Sequence, residues 1–179
     1  VARTGKSVAL STGASTLDEI AAAVALLQTE GAQSVALLQC TLSYPTAAAD
    51  AAVGGLVGLR SAFPGIALGY SDHTQPGDSY AVIAAAYTLG ARVIEKHFTL
   101  DASLPGNDHY HAFEPDGFVR LRAELDGLRA ILGSASKAVL VNEQAARTHA
   151  RRSLVSRGDL AAGTVITEDV LDVKRPGTG

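Results

Sequence analysis

The stretch Ile66-Ala-Leu-Gly-Tyr-Ser-Asp-His-Thr74 is an apolar run that stops abruptly in hydroxyl, carboxylate and imidazole groups. Val93-Ile-Glu-Lys-His-Phe-Thr99 repeats the pattern. The two histidines, His73 and His97, lie 24 residues apart, about the length of one strand-helix unit. They can therefore end neighbouring parallel strands and point into one site, because parallel sheets carry their ligands at the carboxyl ends of the strands.

Two further strand-helix units precede these. Ser7 to Leu10 is a short apolar strand that breaks at Ser11-Thr-Gly13, and Thr16-Leu-Asp-Glu19 has the spacing of a capping box at a helix start. Leu17, Ile20, Val24 and Leu27 then recur at helical spacing up to Gly31. A second strand, Ser34 to Leu38, ends in Gln39-Cys-Thr-Leu-Ser-Tyr-Pro45, and a helix is expected from about Ala48 to Phe63. The third strand, Ile66 to Gly69, is followed by a helix over Ser79 to Leu89, and the fourth, Arg92 to Glu95, by a loop and a helix over Pro115 to Leu132. That last helix presents Phe118, Leu121, Leu125, Leu128 and Leu132 on one face.

Continuous apolar strands alternating with helices predict an α/β fold, a parallel sheet covered on both faces. Polar residues end all four strands, which favours half of a TIM (β/α)8 barrel over a doubly wound sheet, whose ligands gather at a switch point. Residues 1–133 are read as this half-barrel, 134–150 as a polar, Ala-rich linker, and 151–179 as the start of a small β domain. In that β segment Asp159 to Gly163 forms a turn and Thr167 to Val170 one turn of helix. The chain starts on Val1, contains no Met and ends without a closing element, so it is expected to be an excerpt of a longer protein.

Composition bounds the function. A hydrophobic share of 47% with 18% charged residues suits a well-buried globular fold, and a net charge of −3 gives no support for nucleic acid or an anionic membrane as partner. Cys40 is the only cysteine, which excludes an internal disulfide and a cysteine-based zinc cage and makes the cytoplasm the expected location. Two histidines among oxygen groups suit a divalent ion of the manganese, iron or zinc type. Alternatively each merely hydrogen-bonds at a strand end. Asp72 and Glu95 either flank the site or pair with other charges.

Seven motifs in one order carry a family resemblance: Ser-Thr-Gly13, Leu37-Leu-Gln-Cys-Thr-Leu-Ser-Tyr-Pro-Thr46, Gly69-Tyr-Ser-Asp-His-Thr74, Ile94-Glu-Lys-His-Phe-Thr99, Pro105-Gly-Asn-Asp-His109, Arg151-Arg-Ser153 and Lys174-Arg-Pro-Gly177. Together they resemble the sialic acid (N-acetylneuraminate) synthase family over nearly the whole chain. The resemblance implies the last four strands of the barrel, a linker and the opening of an antifreeze-like (SAF) domain. It also implies a transferase that joins phosphoenolpyruvate to an N-acetylhexosamine, such as N-acetylmannosamine, with addition of water and loss of phosphate. His73 and His97 would be the catalytic metal ligands, for Mn2+ or else Mg2+ or Co2+, with the ion polarising the sugar aldehyde.

By the same resemblance Ser11 and Ser71 would donate hydroxyls to phosphoenolpyruvate, rather than serve as strand-end caps. Tyr44 and Asp108 would contact the sugar, rather than shape a turn and cap a loop. Arg175 would enter the partner's barrel in a domain-swapped homodimer, rather than lie on the surface. Gln39 stands where the family commonly has His, which by motif position changes a hydrogen-bonding group near the site, and Leu42 stands where many relatives are polar. Asp108-His-Tyr-His111 suggests a subgroup using another acylamino sugar, such as a precursor of legionaminic or pseudaminic acid or of a spore-coat-type polysaccharide. Additional metal ligation by His109 and His111 is disfavoured, since their loop is expected to face solvent.

Two other classes compete. One is a non-catalytic, sugar-binding fragment; the other is a barrel aldolase with Lys96 as Schiff-base nucleophile, although strand alternation would turn Lys96 away from a pocket that His97 faces. Half a barrel also exposes two unpaired strand edges. Residues 1–179 on their own are therefore predicted to be inactive and to self-associate, which light scattering on the isolated segment checks; an active monomer would contradict it.

Overall fold

The computed structural model describes residues 1–175; Pro176 and Gly177, which close the last motif, lie outside the described residues. The chain divides into two compact units, Val1–Gly133 and a second beginning at Ser134. In the first, strands β1 (Val8–Ser11), β2 (Val35–Cys40), β3 (Ala67–Asp72) and β4 (Val93–Lys96) alternate with helices α1 (Leu17–Thr29), α2 (Gly55–Ala62), α3 (Pro76–Thr88) and α4 (Pro115–Leu132). All strand pairs are parallel and the order is β1-β2-β3-β4. This is a curled half-barrel, with no reversal of strand order and hence no switch point.

Pleating sorts every strand into two faces. Leu10, Leu37 and Leu68 stand in register, as do Tyr70 and Ile94, and all join the core shared with the helices. Leu37 and Leu56 are fully buried there beside Ile83 and Phe113. Each such side chain contributes roughly 1.5–3 kcal/mol of apolar burial. The residues between them, Ser11, Cys40, Ser71 and Glu95, face the concave side, where the Ser11 and Ser71 hydroxyls both reach Glu95.

The helices start where their first residues dictate. Thr16 caps α1, its hydroxyl accepting from the Glu19 amide while the Glu19 carboxylate accepts from the Thr16 amide. Ile20 and Val24 are buried, whereas Leu17 at the helix start is 53% exposed. Pro76 opens α3 three residues before the expected start, a position where its fixed φ and missing N–H carry no penalty. α4 has the expected bounds, with Leu121 buried and Phe118 and Leu125 packed beside it.

The helix expected over residues 48–63 is broken. A 3-10 turn at Ala48–Asp50 is followed by Ala52 in the left-handed region at φ 48°, and the α-helix begins only at Gly55. A Cβ at Gly55 would stand 2.6 Å from the Gln39 amide oxygen, so β2 and the helix start approach through that glycine. The strands, in turn, run one to three residues further into their polar ends than apolar character alone predicts.

In the second unit, a 3-10 turn at Val141–Glu143 and helix α5 (Gln144–His149) occupy the stretch expected to be a plain linker. Strands β5 (Ser153–Ser156) and β6 (Leu171–Lys174) pair antiparallel, and the single helical turn before β6 is a 3-10 turn at Glu168–Val170. Among the described residues no helix is long and apolar enough to cross a membrane.

Gly69 on β3 is hemmed in by both neighbouring strands: a Cβ there would meet the Val93 carbonyl oxygen at 2.5 Å and Leu38 Cγ at 2.8 Å. Backbone cannot yield as a side chain can. Gly69→Ala is expected to destabilise the full-length protein by about 1–3 kcal/mol. Gly58→Ala, on α2 with nothing within 4 Å of the added methyl, should stabilise it by roughly 0.5–1 kcal/mol. Urea unfolding of the two variants side by side checks both signs.

Candidate active site

His73 and His97 immediately follow β3 and β4, and their rings stand 5.2 Å apart, edge to face. His73 is buried, with Nδ1 2.9 Å from the Thr41 carbonyl and 3.7 Å from the Cys40 sulfur. A carbonyl only accepts, so Nδ1 carries the proton and the Nε2 lone pair is left for a ligand. Such a carbonyl-oriented imidazole is what metal-binding histidines use. Burial and the neighbouring His73 ring hold the His97 pKa below the ordinary imidazole range.

Two loops fold back over this strand end. After β2, Thr46 pairs with Thr74, its amide donating to the His73 carbonyl at 2.8 Å. That return brings Tyr44 over the histidines, 4.3 Å from His73 and 5.7 Å from His97 between ring centroids. After β4, Phe113 pairs with Phe98, and its amide donates to the His97 carbonyl at 2.8 Å. This second return tucks His111, Ala112 and Phe113 inward and buries all three.

The expectation that the loop of His109 and His111 faces solvent is therefore corrected for His111, which has no exposed surface and lies 4.7 Å from the His97 ring. Neither of its ring nitrogens has a hydrogen-bond partner. Burial, then the neighbouring His97, keeps the ring below the ordinary imidazole range. His97, Asp108 and His111 each bring a ligand atom within 4.8 Å of the other two. His109 instead meets the Thr99 hydroxyl at 2.7 Å and takes no part.

The inner face below holds the hydroxyls. Ser71, buried, donates to Glu95 at 2.7 Å, and Ser11, from the far strand, donates to the same carboxylate at 3.3 Å. Glu95 has no Lys or Arg partner among the described residues, whereas Asp72 pairs with Lys96 at 2.9 Å, both side chains fully buried. Lys96 also donates to the Thr74 carbonyl at 2.6 Å and packs over Phe113. It points to the helix side, so a Schiff-base role for Lys96 does not fit the geometry. Burial lowers its pKa against the raising effect of Asp72.

Tyr44 is partly exposed above the rings and Asp108 mostly exposed, 3.9 Å from His97 Nδ1. Arg175 follows β6 in the second unit and is exposed there. Gln39, expected near the site, lies on the helix side against Gly55, and Leu42 is 56% exposed. Burial holds the Cys40 thiol above its usual range, and Cys40 is not among the residues whose ligand atoms converge with those of His97. Imidazole nitrogens beside a carboxylate oxygen, without thiolate, are a donor set that fits a divalent ion of intermediate hardness.

Residues 1–137 match the NeuB family model. The chain belongs to the NeuB family. It is 40% identical to an uncharacterized protein of Methanocaldococcus jannaschii, covering 100% of this chain and 52% of that one. It is 36% identical to an N,N'-diacetyllegionaminic acid synthase of Campylobacter jejuni, covering 100% of this chain and 53% of that one. The crystal structure of an N-acetylneuraminic acid (sialic acid) synthetase from Leptospira borgpetersenii superposes with a TM-score of 0.72 at 33% identity, covering 80% of this chain and 48% of that one. The chain thus spans about half the length of these relatives.

His97 and His111 carry a stability consequence. With folded pKa values below the ordinary 6.5, the unfolded chain takes up protons first as pH falls, so stability decreases on acidification and is full above that value. The urea midpoint of the metal-free full-length protein is expected to drop between about pH 7 and 5, and less steeply in His111→Leu. A flat profile would contradict this.

Proposed function

We propose that the full-length protein condenses phosphoenolpyruvate with an open-chain N-acylated hexosamine, N-acetylmannosamine or a related sugar, and water, giving a nonulosonic acid and phosphate. What supports this most is the convergence of His73 and His97 at the carboxyl end of β3 and β4, in a chain of the NeuB family. The names of its relatives favour an acylated amino sugar acid as product.

His73 and His97 would hold a divalent ion, Mn2+ first, then Mg2+ or Co2+. When bound, it would supply Lewis acidity at the sugar aldehyde. Ser11 and Ser71 would turn their hydroxyls from Glu95 to phosphoenolpyruvate, whose enol methylene forms the new carbon-carbon bond. Water then adds at the former enol carbon, Glu95 can receive its proton, and phosphate leaves by carbon-oxygen cleavage. Tyr44 would cover the sugar and exclude bulk water, and Asp108 would accept from its polar groups.

The segment from residue 151 would open an SAF domain whose Arg175 reaches the barrel of a partner subunit in a domain-swapped homodimer. The setting would be the cytoplasm. The test is phosphate release by the full-length protein given phosphoenolpyruvate, N-acetylmannosamine and Mn2+, with product mass read across a panel of acylated hexosamines. His73→Ala and His97→Ala are each expected to lower turnover by at least about 100-fold. Full activity in both variants, or a borohydride-trapped adduct on Lys96, would overturn the proposal.

A further inference from the structure

We propose that His111 ligates the ion at His97, where Asp108 brings a carboxylate oxygen as well, so that this protein offers its metal a nitrogen that the two-histidine motif lacks. The inference rests on the metal reading above and extends it. Its basis is geometric: His97, Asp108 and His111 bring ligand atoms within 4.8 Å of one another, a set that does not include His73. His97 is the middle of three rings, 5.2 Å from His73 on one side and 4.7 Å from His111 on the other. Tyr44 stands over all three, at 4.3, 5.7 and 5.9 Å from His73, His97 and His111.

The energetics of His111 point the same way. Its two ring nitrogens are sealed from solvent and unpartnered, the only buried side-chain polar atoms so left among the described residues. An orphaned buried polar group costs about 1–3 kcal/mol, and native structures keep few of them without a functional reason. A cheaper residue for that position would be apolar, as Ala112 and Phe113 beside it are. Water, which needs roughly 2.7–3.2 Å of approach, does not reach these atoms. A metal ion seats at about 2.0–2.1 Å from an imidazole nitrogen and needs less room.

The backbone holds His111 from the residues that follow it. The pairing of Phe113 with Phe98 anchors the strand two residues on, and Phe113 itself is stacked on Tyr80 at 5.0 Å. His109 differs: its Nδ1 is taken by Thr99.

The decisive comparison is metal binding by full-length wild type, His111→Leu and His111→Gln. Titration calorimetry with Mn2+, the visible spectrum of the Co2+ form, and melting with and without Mn2+ are the readouts. Loss of the ligand is expected to weaken Mn2+ by about 10–100-fold and to alter the Co2+ bands in both variants. His111→Leu should also melt no lower than wild type without metal, because an unsatisfied polar group is gone, yet gain less on adding Mn2+. Wild-type affinity and spectrum in either folded variant would overturn the inference. If wild type condenses its substrates while the variants bind metal normally, only this inference fails; if wild type binds neither Mn2+ nor Co2+, the metal reading fails with it.

Discussion

The buried pair between Asp72 and Lys96 sets the geometry on which the site depends. These residues are register partners of β3 and β4, their charges meet at 2.9 Å, and neither side chain touches water. Breaking such a pair by removing one partner costs about 3–5 kcal/mol, since the other charge stays buried and alone. A slip of one strand against the other by one residue would carry one of the charges to the opposite face and leave its partner buried alone. The pair thus ties the register of the two strands to a large penalty. His73 and His97 are the next residue along each strand, and they inherit that alignment.

The same alternation accounts for what was legible in the sequence. Apolar runs ending in polar residues located four strands in the right order, and the capping box at Thr16 and Glu19 located α1. Their signals are local. The break before α2 was signalled only by the Gly54-Gly55 pair, a turn signal; the left-handed turn at Ala52 that brings Gly55 against Gln39 has no residue of its own to announce it. Gln39 itself was placed by motif position near the site, and pleating turns it to the helix side instead.

His111 was legible only in part. Its spacing from Asp108 marked the segment as unusual, but its burial depends on Phe113 pairing with Phe98, a contact between residues on either side of a long loop. Polar and glycine-containing loops usually run outward; here the apolar pair Ala112 and Phe113 was the signal of return. The role of Glu95 had a similar fate. Weighed as either a flanking or a paired charge, it proves to be the acceptor on which two serines converge, while the neighbouring Lys96 is committed to Asp72.

The hydrogen bond from Ser11 to Glu95 measures something else. These residues belong to strands three intervals apart, which in a flat sheet would be separated by about 14 Å at roughly 4.7–4.9 Å per interval; a serine and a glutamate cannot span that. Their 3.3 Å contact is therefore a chord drawn across an arc, and the backbone must bend enough to make it short. Shape and chemistry become one property at that point. Any change that flattens the arc would part the Ser11 hydroxyl from the carboxylate before it disturbed a single strand pair.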